Sequence, residues 1–209
     1  MKTLLLVGAT GLVGQSVLVQ ALADDRVERV VALTRRPLPP HPKLENPLVD
    51  FSVLPAAEPW WRVDAVICAL GTTIRRAGSE EAFHKVDFAY PLAVATLAWR
   101  HGTPTFALTS SLGADPRART FYLRTKGELE EALAGLGFAS LTIVRPSILG
   151  GTRLESRPME KLSIALVRAL GPVLPRRYRV APAERVASAL LATAVAAMPG
   201  RHVVESETL

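Results

Sequence analysis

An apolar run, Leu4-Leu5-Leu6-Val7, passes directly into Gly8-Ala9-Thr10-Gly11-Leu12-Val13-Gly14 and then into a helical pattern that reaches Ala23. This order of strand, glycine turn and helix restricts the fold more than any other feature of the chain. Glycines let a backbone turn tightly and come close to a bound group, and Gly14 would let the helix lie against the sheet. The first turn of a helix offers unpaired amides and positive potential, which suit phosphate. A plain tight turn could use the same glycines. Their place at the first strand-to-helix junction favours a pyrophosphate turn, with Gly8, Thr10, Gly11, Leu12, Val13 and Gly14 as its contacts.

The rest of the chain repeats the alternation. Strands are expected at 28–34, in the weak stretch PLVDF, at 65–71, 105–111 and 140–146, and in the terminal HVVES. The proline-rich RRPLPPHPKLENP must be a loop. Ser79, followed by Glu80 and Glu81, predicts a capped helix reaching Arg100, with Pro91 as a kink. Another helix is predicted from Tyr122 to Ala134, closed by Gly135, and two more precede the last strand. Short apolar strands alternating with helices predict an α/β fold, a doubly wound parallel sheet of the NAD(P)-binding Rossmann type. The 209 residues suit one domain over 1–209, with residues 149–182 as a small C-terminal lid. Ligands of such sheets bind beyond the carboxyl ends of the strands.

Composition narrows the function. One cysteine, Cys68, excludes an intramolecular disulfide, and it sits in an apolar strand pattern that reads as core. The N-terminal apolar run is too short for an export signal, so a reducing cytoplasm is the expected setting. No apolar run reaches membrane-spanning length, and Val186 to Met198 reads as a buried helix. The four histidines lack metal-ligand spacing, so no metal is expected. The net charge of +6 comes mostly from scattered arginines without interleaved aromatics, which argues against a nucleic-acid partner.

The second strand ends in Thr34-Arg35-Arg36, where an acidic residue would grip the ribose hydroxyls of NAD. Arginine suits a 2′-phosphate instead, so Arg35 and Arg36 predict NADP(H) as the cofactor. Leu70, Gly71 and Thr72, at the end of the fourth strand, would pass close to it. The fifth strand ends in Thr109-Ser110-Ser111-Leu112-Gly113, and FYLRTK follows. Tyr122 and Lys126 share one helix face at i,i+4 spacing. A phenol is a weak acid/base at neutral pH unless a nearby ammonium stabilises phenolate. A serine hydroxyl can hold a carbonyl and share its developing charge. Together these residue types suit hydride transfer between NADPH and a small-molecule carbonyl.

GATGLVG, TSSLG, Tyr-x-x-x-Lys and Arg145-Pro146 together resemble the short-chain dehydrogenase/reductase superfamily, in its extended or atypical members. CALGTTIRRAGSEEAFHKVD, SSLGAD, FYLRTKGELE and RLESRP are similar to the Tat-interacting-protein oxidoreductase-like branch and its small bacterial relatives. The resemblance covers nearly the whole chain. It implies Ser110, Tyr122 and Lys126 as catalytic residues, with Lys126 also on the cofactor ribose. Ser110 fits the superfamily spacing of serine and glycine three residues later, and Ser111 stays an alternative. Asp87 stands where many members carry an asparagine. Pro146 and Ile148 would lie near the nicotinamide by the same resemblance, which also leaves open a homodimer and a protein partner. Beyond an oxidoreductase, two alternatives stand: a non-catalytic NADPH-binding module, and a nucleotide-sugar epimerase or dehydratase. The arginines of the lid region, among them Arg153, Arg157 and Arg168, suit an anionic substrate as well as a solvated surface.

Overall fold

Strand β1 (Lys2–Val7) occupies the centre of a seven-stranded parallel sheet. Its apolar run is long enough to be buried on both faces, and Leu4 to Val7 are at most 1 % exposed. Leu4 and Leu6 face one layer and Leu5 and Val7 the other, as period-two alternation requires. The computed structural model describes residues 1–147, 149, 150, 175, 177 and 179–209.

The other strands of the sheet are β2 (Val27–Leu33), β3 (Leu44–Glu45), β4 (Ala65–Cys68), β5 (Thr105–Thr109), β6 (Ser140–Arg145) and β9 (Gly200–Glu205). Their order is β3-β2-β1-β4-β5-β6-β9. The order reverses between β1 and β4, which opens a crevice at the carboxyl edge where those strands diverge. Helices α1 (Leu12–Ala23) and α6 (Ala183–Ala196) pack on one face, and α4 (Tyr90–Arg100) and α5 (Phe121–Leu136) on the other. Two short helices, α2 (Ile74–Ala77) and α3 (Glu80–His84), lead from β4 towards α4. The expected doubly wound α/β architecture is therefore present. A two-stranded pair, β7 (Leu149–Gly150) with β8 (Ala181–Pro182), joins the two ends of the expected lid. Ile148, expected near the nicotinamide, and the lid arginines Arg153, Arg157 and Arg168 lie outside the described residues.

Three local expectations are corrected. PLVDF forms no strand; it contributes a single bridge, Leu48 to Thr34, while Leu44–Glu45 pairs with β2. Pro47 has no amide to donate, and the Asn46 side chain takes the place of a ladder bond by donating to the Ala32 carbonyl at 2.6 Å. The helix predicted from Ser79 is interrupted by a π-helical turn, Lys85–Ala89, rather than kinked at Pro91. Pro91 sits in the first turn of α4, where a missing amide costs little. Ser79 does cap the helix start, accepting from the Ala82 amide at 3.1 Å. Finally, α5 runs through Gly135 and ends at Gly137, whose φ of 82° supplies the left-handed cap.

Candidate active site

At the carboxyl edge of β1 the chain turns at Gly8, with φ at 88°. A Cβ there would lie 2.4 Å from the Ala69 carbonyl oxygen, and one at Gly14 would lie 2.0 Å from the Gly8 carbonyl oxygen. Only glycine allows β1, β4 and α1 to meet this closely. The N-terminus of α1 has no side-chain cap and no acid in its first turn. Its first-turn amides therefore face outward as donors, the state in which a helix start receives an anion. A cleft of about 140 Å³ adjoins the turn, lined by Gly8, Ala9, Thr10, Leu33, Thr34, Arg35, Asp50, Phe51, Leu70, Val86 and Tyr90. The donor set and the shape fit the pyrophosphate and adenosine of a dinucleotide.

The structure separates the two arginines. Arg35 lines the cleft, and Arg36 does not; the Arg36 carbonyl accepts from Thr34 Oγ1 at 2.6 Å. Asp50, absent from the expected site, lines the cleft with Arg35. Its Oδ1 accepts from the Ser52 amide at 2.8 Å and the Ser52 hydroxyl at 2.7 Å. These bonds, helped by the Arg35 charge, hold the Asp50 carboxyl below the ordinary carboxylate range. The signal for Asp50 was its place near the carboxyl end of PLVDF, the expected third strand.

Leu70 lines the cleft, and the next residue leads to the second half of the site. A Cβ at Gly71 would stand 3.4 Å from Asp87 Oδ1 and 3.7 Å from Lys126 Nζ. Lys126 Nζ and Asp87 Oδ1 form an ion pair at 2.7 Å, with side chains 5 % and 0 % exposed. Asp87 Oδ2 accepts from the Thr72 amide at 2.8 Å. Burial pulls the Lys126 ammonium towards neutrality, but Asp87, and after it Tyr122, outweigh burial and raise its pKa above the ordinary lysine value. Tyr122, one helical turn before Lys126, is half-buried, and its ring packs on Phe83 at 5.5 Å between centroids. Tyr122, Lys126, Leu70, Gly71 and Thr72 thus gather at the carboxyl ends of β4 and β5.

Relatives of the chain identify its family. The rat (Rattus norvegicus) protein HTATIP2 is 34 % identical over 209 residues, covering 98 % of this chain and 85 % of that protein. Protein fmp52, mitochondrial, of Emericella nidulans is 34 % identical over 183 residues, covering 83 % of this chain and 78 % of that protein. The chain belongs to the atypical short-chain dehydrogenase/reductase superfamily that holds these proteins. No family model matches it. Among solved structures, MoeE5 in complex with UDP-glucose and NAD superposes with a TM-score of 0.74 at 21 % identity, over 96 % of this chain and 74 % of that one. The PhqB reductase domain from Penicillium fellutanum gives 0.66 at 24 %, over 97 % and 66 %. At these identities both establish the Rossmann fold.

The names of several relatives correct the cytoplasmic expectation. Relatives from Emericella nidulans, Meyerozyma guilliermondii and Candida albicans are named mitochondrial, which contradicts a purely cytoplasmic setting. A lone cysteine reports only that no intramolecular disulfide forms, and it cannot distinguish compartments. Among the described residues, no helix is long and apolar enough to cross a membrane. Cys68 is fully buried, and burial pushes its thiol up to about 12, so it is a core residue as its strand pattern suggested.

The serines complete the site. Ser110 is 5 % exposed, and its hydroxyl donates to Glu130 Oε1 at 2.5 Å. Glu130 lies on α5 one turn beyond Lys126 and also pairs with Arg145 Nη2 at 2.5 Å. Ser111 is half-buried, and among the described residues its hydroxyl makes only a long contact, 3.4 Å, to the Leu112 carbonyl. Pro146 is buried, and its carbonyl accepts from the Leu112 amide at 2.8 Å, which ties the serine turn to the end of β6. Glu130 was not anticipated from the sequence. Its signal was the continuation of the Tyr122–Lys126 spacing by one more turn.

Proposed function

We propose that the protein is an NADP(H)-dependent oxidoreductase that interconverts a small carbonyl compound and its alcohol. The observation that carries this reading is the adjacency of two half-sites: a glycine-and-arginine cleft, and a buried lysine one helical turn from a half-buried tyrosine. The first-turn amides of α1 would take the pyrophosphate, and Arg35 the 2′-phosphate. When bound, the cofactor supplies or accepts the hydride. Tyr122 gives a proton to the carbonyl oxygen in reduction and takes it back in oxidation. Lys126 stabilises the phenolate left behind and reaches the ribose. A serine hydroxyl donates to the carbonyl oxygen as negative charge develops on it.

The two serines differ in their freedom to do this. A hydroxyl has one proton, and Ser110 has already given it to Glu130. Among the described residues the Ser111 hydroxyl makes no comparably short bond, so the substrate-facing role falls to Ser111.

Titrating the pure protein with NADPH and with NADH, followed by calorimetry, tests the cofactor. Tight NADPH and weak NADH are expected, and equal affinities would reject the Arg35 assignment. NADPH oxidation against a panel of aldehydes, ketones and quinones then tests turnover. Tyr122→Phe should abolish it while NADPH still binds. If cofactor-dependent partner binding survives in that variant and no substrate is turned over, the protein is a binding module.

A second reading is a nucleotide-sugar epimerase or dehydratase. It is favoured by the similarity to MoeE5, whose structure contains UDP-glucose and NAD. Purification with stoichiometric NAD would support it over the first.

A further inference from the structure

The ammonium of Lys126 lies almost wholly out of water. An isolated buried ammonium tends to lose its proton. The groups that face it are Asp87 from the π-helical turn, Tyr122 from its own helix and Cys68 from β4. Of these, Asp87 alone is a carboxylate, and it stands 2.7 Å away. Its second oxygen accepts from the Thr72 amide, just past β4. One buried side chain therefore joins α5, the π-helical turn and the loop that leaves the cleft at Leu70. The π-helical turn has a wider register than the helices on either side of it, and such turns recur at functional sites.

We infer that Asp87 is a positioning residue, which keeps Lys126 charged in its dry setting and holds it against the Leu70–Thr72 loop. An asparagine at this position could accept from the same amide, but it could not offset the buried charge. Asp87 thus does more here than an amide could. The inference rests on the proposed cofactor reading only for the binding measurement below.

The experiment is an NMR titration of protein carrying 13C-labelled lysine, with Lys126→Arg used to assign the Lys126 signal. In the intact chain Lys126 should titrate above a free lysine, near 10.4. In Asp87→Asn its midpoint should move down. An unmoved midpoint would overturn the inference. So would a Lys126 in the intact chain that titrates below free lysine, a result that requires no folded variant. In parallel, NADPH affinity of the intact chain should be flat from about pH 7, where the 2′-phosphate is fully ionised, to about pH 9. In Asp87→Asn it should fall by about tenfold over that range as Lys126 loses its proton, the loss of one charge-assisted hydrogen bond. A flat profile in the variant would count against Asp87. Should the intact chain bind no NADPH, the cofactor reading fails, and the lysine titration still decides the role of Asp87.

Discussion

Ser110 donates its hydroxyl proton in a hydrogen bond to Glu130 across 2.5 Å, a partner that the adjacent Ser111 does not share. Both residues lie just past β5, and of the two only the Ser110 hydroxyl reaches the buried Glu130 carboxylate. Ser111→Ala should lower kcat by about 10- to 100-fold with cofactor affinity unchanged, the loss expected for one donor to a developing oxyanion. Ser110→Ala should stay within about threefold of the parent. Steady-state kinetics on both variants decide the matter, and a larger loss in Ser110→Ala would return the role to that residue. Ser111→Thr, which keeps a hydroxyl, should recover part of the activity.

Glu130 is 2 % exposed, and Arg145 stands against it with a second carboxylate, Glu205, at 3.2 Å. Removing the carboxylate leaves Arg145 with only the half-exposed Glu205 and strands the Ser110 hydroxyl. Glu130→Ala should cost about 2–4 kcal/mol, somewhat below the range for a fully buried pair because Arg145 keeps some contact with water. Urea unfolding reads this directly. A loss below about 0.5 kcal/mol would place the pair among ordinary surface ion pairs.

Arg35 lines the cleft and Arg36 does not, so the two should no longer behave alike. Arg35→Ala should weaken NADPH by about 10- to 100-fold and leave NADH nearly unchanged, as the loss of an arginine–phosphate pair predicts. Arg36→Ala should change either affinity by less than about threefold. Calorimetric titration of the two variants with both cofactors gives the four comparisons.

Gly127, between Lys126 and Glu128 on α5, carries the loop that follows the serines. A Cβ there would lie 2.2 Å from the Asp115 carbonyl carbon and 2.3 Å from the Pro116 nitrogen. Backbone cannot yield as a flexible side chain does, so Gly127→Ala should destabilise by about 1–3 kcal/mol or more. It should also displace the serine turn. By contrast Gly135→Ala, with nothing within 4 Å of its Cβ, should stabilise the helix by about 0.5–1 kcal/mol. Thermal melts of the two variants should therefore move in opposite directions.

Asp24 has the clearest acid-side signature. Hydrogen bonds from the Arg26 side chain and then its backbone amide lower the Asp24 carboxyl from 3.8 to about 2. A carboxylate whose folded pKa is depressed stabilises the fold above its unfolded value, and that contribution is lost as pH falls through the folded value. The window is thus about pH 4 down to about pH 2. Asp24→Asn should lower Tm by less than about 3 °C at neutral pH, since the pair is at the surface. The difference from the parent should vanish near pH 2.

Periodicity and glycine placement made the fold legible before any coordinates. Leu4–Val7 can only be a strand buried on both faces, and Gly8 and Gly14 stand where β1, β4 and α1 approach too closely for a Cβ. Tyr122 and Lys126 were legible too, because i,i+4 spacing on a helix is local geometry. The failures were of another kind. Gly135 and Gly137 are equivalent as letters, and packing chose the second as the cap. PLVDF reads as a strand, but Asn46 satisfied the backbone of β2 and left Asp50 free to line the cleft. Arg35 and Arg36 are adjacent, and the path of the chain after β2 brought only one to the cleft. The pairings Lys126–Asp87 and Ser110–Glu130 join residues 39 and 20 positions apart. The sequence by itself determined most of the elements and the residue types available for chemistry, because those depend on neighbours along the chain. Tertiary structure alone decided which serine bonds to Glu130 and which carboxylate pairs with Lys126. Those choices depend on distances across a dry interior, where one contact outweighs any local preference.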